Sequence, residues 1–225
     1  MGALALALAG CATSTALSRA EKPRPLTPGA SILLMEPDVE LYEVTAGGLL
    51  EPKADWTAAA NDNVTAALTK AFKAKRVTVV PYAAPSDPSL EQTHVQLTKL
   101  HERVGSTIIT YRYGPALRLP GKGEVFDWTL GEEAKTLAGS SGAEYALFIR
   151  FLDSYASGGR VAMITVFALL GVGLPGGTQI GFASLVDLRT GDLVWFNRLV
   201  NPAGDLRTPE RAREAVQALL ADLPV

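Results

Sequence analysis

The residues of this chain that could do chemistry are few, and their spacing does not bring them together. The chain has only two histidines, His94 and His101. They fall seven residues apart in a stretch that reads as helix, about two turns or roughly 10 Å. At that distance they cannot share one ion, and they read as ordinary histidines bordering the covered side of a helix. Arg150 and Asp153 interrupt an apolar run, but a separation of three puts them on opposite faces of a strand. The acidic residues Glu132 and Glu133, and Asp205 with Glu210, are helix-start charges. Neither a Gly-x-Ser-x-Gly elbow, a phosphate-binding loop, a dinucleotide fingerprint nor a His-Glu-x-x-His motif occurs. The expectation is a protein with no catalytic residues, no metal site and no cofactor. A net charge of −2 without any block of like charge gives nucleic acid nothing to hold. A single cysteine excludes an internal disulfide framework and a Cys-based zinc site.

That cysteine, Cys11, is the one nucleophile with a chemical context. It ends the uncharged run MGALALALAGC, and Leu8-Ala9-Gly10-Cys11 resembles the bacterial lipobox: a branched residue, two small ones and the lipidated Cys. A short apolar segment engages the export machinery, the small residues let a peptidase approach, and the thiolate accepts a diacylglyceryl group. The run is too short to span a bilayer. An export signal ordinarily carries Lys or Arg ahead of its apolar run; none stands there, which fits a start lying further upstream. The resemblance implies a signal peptide over residues 1–10 and acyl chains on Cys11, each buried CH₂ adding about 0.8 kcal/mol of membrane attachment. Ala12 stands where Asp would resemble an inner-membrane retention signal, so the outer membrane, facing the periplasm, is the expected location.

The elements around these residues are those of one α/β domain over residues 31–225 behind a tether. Residues 11–30 hold the lipid-bearing Cys11, Ser, Thr and three prolines with no apolar periodicity, which predicts an extended, mobile linker. SILLM at 31–35 and RVTVVPY at 76–82 read as strands, with a small hairpin between Val39 and Leu50. Trp56, Ala60, Val64, Leu68 and Phe72 recur every four residues, one face of a helix over 55–74. Ser86-Asp87-Pro88 opens a second helix reaching about residue 104, with Leu90, Leu97, Leu100 and Val104 on its covered side. Thr129 to Glu132 fits a capping box for a short helix, and Thr208-Pro209-Glu210 opens a terminal one. Between these lie four apolar runs, 143–155, 161–170, 178–188 and 193–200, separated by glycine-rich turns and read as consecutive antiparallel strands. The predicted fold is a mixed, largely antiparallel sheet with helices packed on it.

Two segments resemble a family. A short helix followed by Gly142-Ala143-Glu144-Tyr145-Ala146-Leu147 is similar to the "helix, Gly-Ala-Asp-Tyr, apolar strand" element of envelope lipoproteins related to CsgG, to the amino-terminal domain of TolB, to LpoB and to small neisserial surface lipoproteins. Glu144 replaces the usual Asp. The run from Ser184 to Trp195 (SLVDLRTGDLVW) is similar to their "apolar-Val-Asp-x-x-Thr-Gly-x-apolar-apolar-Trp" hairpin. Physical chemistry explains that hairpin without an active site: Asp187 and Thr190 bond the turn backbone, Gly191 takes a positive φ and Trp195 covers the sheet. The resemblance implies a TolB amino-terminal-domain-like fold and a non-enzymatic envelope lipoprotein that binds other proteins as a scaffold, activator or export component. The alternative is a homo-oligomeric CsgG-like secretion channel subunit. Its partners would be membrane lipid through acylated Cys11 and an unidentified envelope protein or a further copy of the chain. Residues 158–177 are more apolar and glycine-rich than the family's hairpin and are open to three readings: an internal strand pair or helix covered on both faces, an exposed assembly surface, or a segment that enters the membrane. Val161, Ile164, Val166, Phe167, Leu170 and Leu174 are the candidate assembly or membrane residues. Against barrel strands, residues 161–174 lack the alternation of lipid-facing and polar positions.

Overall fold

The computed structural model describes residues 13–18 as backbone, then 26, 29–73, 75, 77–114, 119, 121–122 and 125–225. Cys11 and the expected signal peptide lie outside the described residues. In chain order the elements are β1 (Thr13–Ser18), β2 (Ser31–Leu34), β3 (Asp38–Val44), β4 (Leu50–Pro52), α1 (Ala54–Lys73), β5 (Thr78–Pro81), α2 (Pro88–Arg112), a 3₁₀ turn (Glu132–Ala134) leading into α3 (Lys135–Ser141), β6 (Tyr145–Ala156), α4 (Gly158–Leu169), β7 (Gln179–Asp187), β8 (Leu193–Asn201) and α5 (Pro209–Leu219). The eight strands form one sheet in the order β1-β8-β7-β6-β2-β5, with β3 also on β6 and β4 on β3. The β1–β8, β8–β7, β7–β6 and β3–β4 pairs are antiparallel; β2–β6, β3–β6 and β2–β5 are parallel. The mixed α/β sheet read from the sequence is the observed one.

β6 is the longest strand because it serves two neighbours on one side. Its first part pairs with β2, Ile32 opposite Tyr145 and Leu34 opposite Leu147. Its second pairs with β3, Asp38 opposite Arg150 and Val44 opposite Ala156. Its apolar residues divide by parity, as a period of two requires. Leu147, Ile149 and Phe151 join a core with α1 and α5, through Val64, Leu68 and Val216. Ala146 and Phe148 join a second core with α2 and α3, through Leu97, Ile108 and Leu137. Both faces are covered, so the central strands carry nearly continuous apolar runs.

Four expectations are corrected. Residues 161–170 are not a strand but the greater part of α4. The Ser157 hydroxyl accepts from the Arg160 N–H at 3.1 Å and caps its start. Val172 N–H donates to Phe167 C=O at 2.9 Å and Gly171 N–H to Ala168 C=O at 3.0 Å, closing the other end around Gly171 at φ +76°. That is a Schellman arrangement, with the glycine where left-handed backbone is needed. Second, the tether is not free along its whole length: Thr13–Ser18 runs along β8, Leu26 N–H donates to Pro224 C=O at 2.8 Å, and the packed structure reaches back before Ser31. Third, the covered face of α2 is His94, Leu97, His101, Gly105 and Ile108, so both histidines are buried rather than bordering, and Leu100 is exposed. Fourth, Thr129 makes no capping box; its hydroxyl donates to Gly191 C=O at 3.0 Å and accepts from Gly131 N–H at 2.9 Å, tying this segment to the β7–β8 turn.

Gly105 allows the α2 contact. A Cβ there would stand 2.1 Å from the Phe182 ring. In an open helix Gly→Ala stabilises by about 1 kcal/mol through propensity, but overpacking a rigid core costs about 1–3 kcal/mol. At 2.1 Å the steric cost wins, so Gly105→Ala is expected to lower unfolding stability in urea. A rise in stability would show that α2 stands further from the sheet.

Candidate functional site

The polar groups that looked chemical in the sequence are structural fasteners. Arg150 and Asp153 do lie on opposite faces of the sheet. Arg150, on the α2 face, bonds Asp38 at 2.5 Å and lies 3.3 Å from Glu40 and 3.4 Å from Glu102, tying β3 and α2 to β6. His101 Nε2 and Ser184 Oγ are 2.9 Å apart, and its ring stacks on Phe148 with Phe182 beside it. Burial, helped by the Arg150 charge, pulls the His101 pKa down to about 3, so this imidazole is neutral. His94 lies against the Tyr82 hydroxyl at 3.2 Å. The two histidines thus engage different partners, and no group of three or more metal-ligating side chains occurs among the described residues.

On the opposite face, Asp153 is fully buried. Its Oδ2 accepts from the Tyr155 hydroxyl, from Gln179 Nε2 at 2.9 Å and from Leu206 N–H at 3.2 Å. Its Oδ1 and the Gln179 Oε1 have no partner among the described residues. Burial pushes the Asp153 carboxyl up, outweighing those donors and the Ser154 backbone. The cluster fastens the segment around Leu206 to β6 and β7.

Two surfaces remain. The first is the one singled out in the sequence. Val161, Val166 and Leu170 are exposed, while Ile164, Phe167 and Leu174 are half-buried against the domain. The reading of 158–177 as a segment covered on both faces therefore fails. Exposure peaks at Leu169 with 84% and Leu170 with 72%, and Leu49 at the β3–β4 turn reaches 72%. α4 is fixed from behind: Arg160 Nε donates to Pro175 C=O at 3.1 Å, and Gly159 lies close against Ala46. Its caps hold the helix without a partner on the outer face.

The second surface was not legible in the sequence. Among the described residues β5 pairs with β2 only, and along its other side runs a groove of about 480 Å³ lined by Leu34, Phe72, Val77, Val79 and Pro81, with Lys73 and Lys75 also lining it. It shares Leu34, Thr69 and Pro81 with a neighbouring groove of about 510 Å³ that reaches Glu36, Pro37, Asn61 and Tyr82. The second groove lies at the carboxyl ends of the parallel strands β2 and β5, where open α/β sheets place their crevices. RVTVVPY signalled a strand, but whether its edge is covered depends on distant elements.

No family model matches this chain, and no curated protein matches it. Among solved structures, the PelC dodecamer from Paraburkholderia phytofirmans is similar at a TM-score of 0.41 and 12% identity, over 96% of this chain and 99% of that one. The LpoB C-terminal domain from Salmonella enterica is similar at 0.29 and 15%, over 78% and 84%. Likenesses of this size do not carry a role from one protein to another.

Two of the buried titratable groups, His101 and Asp153, give pH dependences of opposite sign. His101 has a folded pKa of about 3 against about 6.5 unfolded. Between those values only the unfolded chain takes the proton, so stability falls as pH falls through that window, by about 1.4 kcal/mol per pH unit. His101→Gln is expected to remove about one proton of that slope in urea unfolding between roughly pH 4 and 6. Asp153, with a raised folded pKa, stabilises at low pH and loses that contribution as pH rises through the folded value. Asp153→Asn, a neutral mimic of the acid, is expected to gain stability relative to the parent as pH rises. A constant difference at every pH would mean that Asp153 binds its proton alike in the folded and the unfolded chain.

Proposed function

We propose that this chain is a non-enzymatic cell-envelope lipoprotein, held by acyl chains on Cys11 at the outer membrane and facing the periplasm, whose α/β domain binds another envelope protein. The observation that carries the binding reading is the open β5 edge. An extended segment added there pairs with β5 backbone, while apolar side chains enter the groove beside Phe72 and Val79. Pro81 cannot donate, and β5 has only four residues, so the edge is short and guarded against indiscriminate pairing. The lipobox resemblance supports the location, and the Gly142–Leu147 and Ser184–Trp195 resemblances support membership of the CsgG, TolB amino-terminal-domain and LpoB group. The uncovered α4 surface favours the alternative, a ring-forming secretion channel subunit.

A photo-crosslinking residue at Val79 in the full chain, expressed in a Gram-negative host, is expected to give a discrete adduct in intact cells. The adduct should be absent with the residue at Glu132, whose side chain is 88% exposed, and should disappear when Phe72→Asp is added. Cys11→Ser is expected to release the chain from the membrane fraction. Adducts of equal yield at both positions would remove the groove as the binding site. A large ring in the mass of detergent-extracted chain would put the channel first.

A further inference from the structure

We propose that the apolar end of the sheet, α4 together with the β3–β4 turn, is a second membrane contact that lies flat in the interface of the leaflet holding the lipid on Cys11. The anchor itself rests on the lipoprotein reading above; the placement rests on strand register. Thr13 of β1 stands opposite Val200 of β8, and Asn201 opposite Gln179 of β7. Ile180 stands opposite Leu152 of β6, while Val44 of β3 stands opposite Ala156. The start of β1, the ends of β3, β6 and β8 and the start of β7 therefore share one end of the sheet. α4 leaves β6 at that end. Thr13 is two residues from Cys11, at most about 7 Å of chain, whereas the sheet is about 30 Å long at nine-residue β7. An anchor on Cys11 belongs to the α4 end.

The surface there suits hydrocarbon better than protein. Among the described residues, eight of the eleven exposed large apolar side chains are at this end, Leu49 and Leu50 at the β3–β4 turn and six between Val161 and Val172. From Val161 to Gly177 no side chain is charged, and Thr165 is the only polar one. Its hydroxyl donates to Val161 C=O at 2.9 Å and asks nothing of a partner. Protein interfaces carry about one hydrogen bond per 100–200 Å²; from Val161 to Gly177 the Thr165 hydroxyl oxygen is the one side-chain atom that could accept a further one. A lipid-facing segment must satisfy its backbone internally, and the Ser157 cap and the Gly171 closure do so at the two ends of α4.

Length decides the orientation. Twelve residues of helix span about 18 Å, short of the roughly 30 Å hydrocarbon core, so α4 lies in the plane of the membrane. An interfacial helix normally needs a charged outer face; here the domain itself covers that side, through Arg160, Ile164 and Gly176.

The test uses the full chain with Cys11→Ser, which leaves no other cysteine, and Leu169→Cys carrying a polarity-sensitive fluorophore. With phosphatidylethanolamine/phosphatidylglycerol vesicles the emission is expected to shift blue and to be quenched more by nitroxides near the headgroup than by nitroxides deep in the acyl chains. Adding Val166→Asp and Leu170→Asp is expected to lower the vesicle-bound fraction by about tenfold or more. A silent label on vesicles overturns the proposal, as does the same blue shift in lipid-free protein accompanied by a doubled mass, which makes the surface a contact between copies. Deep quenching overturns the flat orientation. The mass of wild-type chain extracted from membranes reads acylation separately. Acylation with a silent label leaves the anchor and removes the contact; a responsive label without acylation removes the anchor and the pairing of the two.

Discussion

β6 has no free side, and the rest of the fold follows from that constraint. It is paired along both edges and covered on both faces, so every polar group on it needs a partner inside the protein. Arg150 finds carboxylates from β3 and α2. Asp153 finds β7 through Gln179 and the chain before α5 through Leu206. These two residues fasten opposite layers to the same strand, and removing one partner of such a group would leave it buried and unpaired, which is far more damaging than losing a surface ion pair. The break between β2 and β3 at Met35–Pro37 is the consequence on the sheet: one strand cannot follow β6 for its whole length, and the crevice at the end of β5 opens where the neighbour changes.

Much of this was legible because local signals and burial agree. The four-residue repeat of α1 matches its buried face of Ala60, Val64, Leu68 and Phe72. The turn chemistry around Asp187 also reads directly: Asp187 Oδ1 accepts from Arg189 N–H at 2.9 Å, Thr190 Oγ1 from Asp192 N–H at 3.2 Å, and Gly191 sits at φ +79°. α4 was misread because a run of Val, Ile and Phe between glycines looks the same whether it is a buried strand or an exposed helix. Its caps, Ser157 and Gly171, point to helix, but glycines flanking a β-branched run read equally well as strand ends. α2 failed differently: a histidine counts as polar in a pattern, while stacking on Phe148 makes His101 a core residue. The β1–β8 pairing and the open β5 edge are long-range facts that no local window contains.

The remaining surfaces divide the molecule by solvent. Arg189 holds Asp187 through two hydrogen bonds, at 3.1 and 2.8 Å, and lowers its pKa, and Arg207 holds Asp205 in the same way. These pairs are partly wet and contribute little to stability. Residues Val161 to Gly177 are the reverse, apolar and without a charged side chain, and would be an association hazard in free solution. Such a surface persists in a protein only where something covers it.

Register sets how the two surfaces can work together. The last β2 residue, Leu34, stands opposite Leu147, and α4 begins after Ala156, so nine residues of β6, about 30 Å at 3.3 Å per residue, separate the β5 groove from the apolar end. If the apolar end rests on a membrane, the groove stands about 30 Å above it and opens sideways. A flexible tether would let the domain turn any face to the lipid. With a first strand paired to β8 and an apolar helix at the same end, that placement leaves one orientation, in which a partner would meet the groove at a fixed height and angle.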